Sequence, residues 1–139
     1  MAQHDHDLSR FVAAQEHSYA GALAELRAGT KRSHWMWFVF PQIAGLGRSE
    51  TARFYAIRSA AEARAYLAHP VLGDRLVEAT AAVVAAAGSA DDVLGTIDAI
   101  KLRSSMTLFA AVADDPAPFV GALSRFFDGR SDPETLARL

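Results

Sequence analysis

The sequence predicts an all-α fold, and three observations carry that prediction. Apolar residues recur at helical spacing through most of the chain, helix-capping residues stand at the starts of those runs, and no segment offers a convincing strand with a partner. The expected architecture is a single compact multi-helix domain of about six or seven helices over residues 8–139, behind a flexible tail at residues 1–7.

Taken in order, Phe11, Val12, Tyr19, Ala22, Leu23 and Leu26 follow Leu8 at helical spacing. Asp7 can cap the start of this helix, and Gly29 suits the left-handed position after its end. The next run, His34 to Phe40, fits either a buried strand or a short helix capped by Ser33 and stopped before Pro41. A helix is preferred, because a strand would lack a partner. QIAGLGRS is a glycine-bearing loop, after which Ser49 opens a helix through Phe54, Tyr55 and Ile57. Ser59 and Glu62 have capping-box spacing ahead of Tyr66 and Leu67. Pro70 begins a helix through Leu72, Leu76, Ala79, Val83 and Ala87 that stops at Gly88; Gly73 within it allows close packing. SADDV reads as a short turn, and Thr96 caps a helix from Ile97 to about Ala113. Asp114, Asp115 and Pro116 break the chain before a helix through Phe119, Leu123, Phe126 and Phe127, and SDPETLARL forms a proline-initiated terminal helix.

Composition removes several classes of function. Hydrophobic residues make up 51% and the formal charge is −2, which disfavours nucleic-acid binding through a generic basic surface. The absence of cysteine excludes thiol catalysis, disulfides and cysteine-based zinc sites. MAQHDHDLSR does not read as a signal peptide and no apolar run reaches the ~20 residues of a membrane span, so a cytoplasmic location is expected. There is no metal-ligand motif, nucleophile elbow or P-loop, and the HDHD stretch at residues 4–7 belongs to the tail.

Polar residues on apolar faces locate a candidate site. On a helical wheel Asp98, Lys101 and Ser105 share one arc, flanked by Ile97, Leu108 and Val112 on one side and Leu102, Met106 and Phe109 on the other. Ala99, Arg103, Thr107 and Ala110 take the side expected to face water. A buried ammonium needs a partner, either Asp98 within the helix or a ligand in a cavity. Gln15 projects among Leu8, Phe11, Tyr19, Ala22 and Leu26, where anchoring a neighbouring loop outweighs ligand contact. Lys31, Arg32 and Ser33 precede the aromatic run, so a helix start there would be friendly to anions. Trp35 and Trp37 cannot share one helical face; one belongs to the core and the other is free to stack on a ligand or partner. His34 can serve as acid or base, and Gln42 leads into the Gly45–Leu46–Gly47 bend.

The segments RFVAAQ, KRSHWMWFVFPQIAGLG, YLAHPVLGDRL and DAIKLRSSMTLF resemble a bacterial family known as domain of unknown function 1810, from about Leu8 to Phe127. The resemblance implies a mainly helical single domain and supplies no established activity. Gln15, Lys31, His34, Trp37, Gln42, Lys101, Ser105 and Met106 stand within those segments.

The function expected is a pocket for an anionic small molecule such as a nucleotide or ADP-ribose derivative. Its binding residues would be Gln15, Lys31, Arg32, Trp37, Gln42, Lys101 and Ser105, with His34, Lys101 and Ser105 as catalytic candidates if the protein is an enzyme. Lysine and arginine neutralise phosphate, a tryptophan stacks on a base and an amide orients it. The sequence specifies no metal, cofactor or oligomeric state. The alternatives are an interaction module that docks through residues 35–40, with Trp35, Trp37 and Phe40 exposed, or residues that serve the fold alone.

Overall fold

The computed structural model describes residues 7–139. The expected tail, Asp7 excepted, and both histidines of HDHD lie outside the described residues. Within them every named element is a helix: α1 (Ser9–Glu16), α2 (Tyr19–Ala28), α3 (Met36–Val39), α4 (Glu50–Phe54), α5 (Ala60–Ala68), α6 (Leu72–Ala85), α7 (Ala90–Leu94), α8 (Thr96–Val112), α9 (Ala117–Phe127) and α10 (Pro133–Ala137). No named strand occurs among the described residues; a single parallel bridge joins Ile43 to Ile57. The fold class is the expected one, with ten helices among these residues rather than six or seven.

Relative to the eight helical runs read along the sequence, two differences each add a helix. The first predicted helix breaks at His17–Ser18, where the Ser18 N–H turns back to the Gln15 carbonyl (3.2 Å). Neither proline nor glycine marks this break, and the apolar spacing runs across it. The break lets α1 rest on α3 while α2 packs on α6. The other is SADDV, which closes into α7 through a capping box: Ser89 Oγ accepts from the Asp92 N–H, and the Asp92 carboxylate accepts from the Ser89 N–H, each at 3.0 Å.

Other ends follow local chemistry. Ser49 and Ser59 cap α4 and α5 as expected. Gly29 takes the left-handed conformation after α2 (φ 80°). Gly95, not Thr96, is the residue before α8, and Ser33 does not cap α3. α6 starts at Leu72 rather than Pro70, and His69 Nδ1 accepts from the Val71 and Leu72 N–H groups at 3.1 and 3.2 Å. A Cβ on Gly73 would stand 2.1 Å from the Leu67 carbonyl oxygen, so α5 and α6 meet backbone to backbone there.

α8 runs through the middle of the domain, packed on α5, α7, α9 and α10. This corrects the wheel. Ala99 and Thr107, expected to face water, are buried, whereas Ile97 and Ile100 are 73% and 63% exposed. The C-terminal segment covers the face thought to be open: Arg103 donates to the Arg130 and Ser131 carbonyls, and Thr107 Oγ1 accepts from the Asp132 N–H. A helix with small and apolar residues on nearly every side does not reveal which stripe its neighbours will cover.

Candidate functional site

The site begins where α2 ends. Beyond Gly29 the Lys31 N–H bonds the Val93 carbonyl at 2.8 Å, which ties this segment to α7. Glu25 then gathers the next turn. Its carboxylate accepts from the N–H groups of Arg32 (2.6 Å) and Ser33 (3.0 Å), from the Ser33 hydroxyl, and from Trp35 Nε1 (3.0 Å). Burial pushes this carboxyl up, but the bonds from Ser33, Arg32 and Trp35 outweigh it and bring it down to about 2.

A pH dependence follows. The folded state holds Glu25 below its ordinary value of 4.5, so its stabilisation is complete above pH 4.5 and fades as pH falls through about 2. Glu25→Gln should lose about 1 kcal/mol at neutral pH, a charge-assisted network discounted for its contact with water. The difference between variant and parent should close by about pH 2 in denaturant titrations. A gap that stays constant between pH 6 and pH 2 would rule out the charge as its cause.

The clamp leaves the lysine side chain aimed inward. Lys31 Nζ lies 2.9 Å from Asp98 Oδ2, and Lys101 Nζ lies 3.1 Å from Asp98 Oδ1. The three side chains are only 9%, 22% and 17% exposed for Lys31, Lys101 and Asp98. Each ammonium also stands over an indole, Lys31 over Trp35 at 5.3 Å and Lys101 over Trp37 at 4.8 Å. Burial raises the Asp98 carboxyl, and its two lysine partners more than reverse this, so it stays ionised well below the usual range. Two cations therefore share one anion, leaving one positive charge in excess.

Around this group is a cleft of about 450 Å³, with Lys31, His34, Met36, Trp37, Thr96 and Lys101 in its walls. The first turn of α8 opens into it, and Gly95 supplies no side-chain cap. A second hollow of about 150 Å³ lies against Trp37, between residues 42–47 and residues 52–58. A groove of about 620 Å³ runs past Lys101 and Gln42 toward Phe127 and Asp132. Trp37, Gln42 and Lys101 each wall two of the three spaces.

The sequence-derived candidates separate. Lys31, His34, Trp37 and Lys101 share the cleft, and Gln42 lines the hollow and the groove. Gln15 is buried, and its Nε2 donates to the Phe38 carbonyl (2.6 Å) and to the Tyr66 hydroxyl (3.0 Å). It anchors the end of α3. Ser105 is wholly buried, with a hydroxyl lacking any partner among the described residues, and it lines none of these three spaces. Arg32 is exposed and outside their lining. The geometry thus removes Gln15, Ser105 and Arg32 from the walls of the candidate site. Trp35 and Phe40 are core residues, so of the three exposed aromatics the docking alternative requires, only half-buried Trp37 remains.

Sequence reasoning missed Glu25, Tyr55, Arg53 and Arg58. The signal for the arginines was RSETARFYAIRS, in which Arg48, Arg53 and Arg58 face a single acid, Glu50. Among the described residues no cluster of three or more His, Cys, Asp or Glu could hold a metal ion, and no helix is long and apolar enough to cross a membrane.

Comparison places the chain among known sequences. It matches the model of the family described as protein of unknown function (DUF1810) over residues 5–139, and it belongs to that family. The crystal structure of the conserved hypothetical protein Rv1873 from Mycobacterium tuberculosis is similar to it at 50% identity, covering 96% of each chain with a TM-score of 0.94. No curated protein matches.

Proposed function

We propose that this DUF1810 protein binds an anionic small molecule of the nucleotide or ADP-ribose class in the cleft between residues 31–37 and the start of α8. One observation carries the reading: Lys31 and Lys101 share the single carboxylate of Asp98, beside an uncapped helix start and a half-buried tryptophan. The excess charge and the free N–H groups favour phosphate oxygens. Trp37 offers an indole for a base. His34, in the cleft wall, is the side chain there suited to exchange a proton if turnover occurs. The docking alternative has no comparable support, because its aromatic face is buried apart from Trp37.

Lys101→Met tests this. Asp98 keeps Lys31 as a partner, so the unliganded fold should lose no more than about 1 kcal/mol. AMP, ADP-ribose and pyrophosphate would be screened by thermal shift and calorimetry, with adenosine as the uncharged control. A ligand present at 100 times its Kd stabilises the parent by about 2.7 kcal/mol. That gain should vanish in the variant. Binding that survives Lys101→Met unchanged, or no response to any of the three anions, would refute the assignment.

A further inference from the structure

The hollow on the other side of Trp37 has its own chemistry. Its walls are set by the bridge at Ile43 and Ile57: the Ile57 N–H bonds the Gln42 carbonyl at 2.8 Å, and the Ala44 N–H bonds the Ile57 carbonyl at 2.7 Å. Gly47 brings the loop down onto α4, where a Cβ would stand 2.5 Å from the Ala52 methyl. Tyr55 is held in place by ring contacts with Phe38 (5.3 Å), Phe54 (4.8 Å) and Phe11 (6.0 Å). The space therefore has two aromatic walls, Trp37 and Tyr55, and an amide side chain, Gln42.

Its charge is one-sided. Arg53 and Arg58 line it, none of its lining residues is acidic, and neither guanidinium forms an ion pair among the described residues, though Arg58 is near enough to Asp7, outside the lining, to help hold that carboxyl low. Elsewhere Arg10 is answered by Glu62, and Lys31 and Lys101 by Asp98. The Arg58 backbone N–H donates to Glu62 at 3.2 Å, and the Arg58 side chain lines the hollow. Arginine pairs present the forked donors that match phosphate and carboxylate oxygens.

We propose that this hollow is a second binding site, for a monocyclic aromatic group carrying a phosphate or carboxylate, its ring between Trp37 and Tyr55 and its oxyanion on Arg53 and Arg58. A volume of about 150 Å³ suits one ring rather than a nucleotide. The assignment does not rest on the Lys31–Lys101 cleft.

The test titrates the full-length protein with phenyl phosphate, benzoate and inorganic phosphate while following the indole N–H signals by NMR. The Trp37 signal should shift saturably with phenyl phosphate or benzoate, the stronger of the two identifying the oxyanion, and the Trp35 signal should stay in place. Arg53→Gln and Arg58→Gln should each weaken binding about tenfold with the melting temperature unchanged, since both side chains are exposed. Arg53→Lys should recover part of the loss. Lys101→Met should leave this binding intact even if it abolishes binding in the cleft. Equal loss in Lys101→Met would assign the ligand to the cleft and overturn a second site. Unchanged affinity in the double arginine variant, or no saturable shift with either aryl compound, would overturn it as well.

Discussion

Glu62→Ala should cost the fold about 3–5 kcal/mol in urea denaturation, the range for removing one partner of a buried ion pair. Glu62 meets Arg10 Nη2 at 2.8 Å, and the two side chains are 3% and 8% exposed. The Arg10 guanidinium also donates to the Ala56 carbonyl at 2.8 Å and lies 4.4 Å from the centre of the Phe11 ring. Alanine would strand that cation inside the domain, where Nε already lacks a partner. It would also leave the Arg58 N–H without its 3.2 Å acceptor. Residues 56–58 are fastened to α1 and α5 through this pair, so the loss should loosen the hollow that Arg58 lines. The charge is separable from the shape: Glu62→Gln should cost less, and Arg10→Met combined with Glu62→Met should recover most of the stability, because the two buried charges are then removed together. A loss below about 1 kcal/mol in Glu62→Ala would mean that water reaches Arg10 and the pair is structural ornament.

How much of this was legible in the sequence depends on the range of the interaction. Caps were readable because their chemistry is local: Ser49, Ser59 and Gly29 act within a few residues of the backbone they serve. The Asp98–Lys101 contact was readable for the same reason, being one turn apart on α8. The break at His17 was not, because periodicity measures the face to be buried and α1 and α2 bury the same stripe against different neighbours. The orientation of α8 failed for a related reason: its cover comes from residues 130–135, which the wheel cannot see. Glu25 looked like one more charged residue near a helix end. Its importance arises from four donors folded back onto it from residues 32–35.

The cation pair shows both sides of that limit. Lysines without local acids had to find acids elsewhere or an anion, and the acid is Asp98, on the same helix as Lys101 but 67 residues beyond Lys31 in sequence. Asp98 is a structural partner of both lysines, and an anion bound in the proposed cleft would compete with it for them. Asp98→Asn isolates the charge, since the amide keeps the size and one acceptor oxygen. In dilute buffer the variant should be less stable by about 2–3 kcal/mol, the buried-pair range reduced for partial exposure, as two ammonium groups then confront each other unneutralised. Pyrophosphate should restore that stability, and it should bind the variant about tenfold more tightly than the parent, because the repulsion between Asp98 and the ligand is gone. High salt should narrow both differences, since the three side chains are not sealed from solvent. Calorimetry of parent and variant with pyrophosphate reads the outcome directly. Affinity that stays the same or falls in Asp98→Asn would show that no anion competes with Asp98. The lysines would then serve the fold alone.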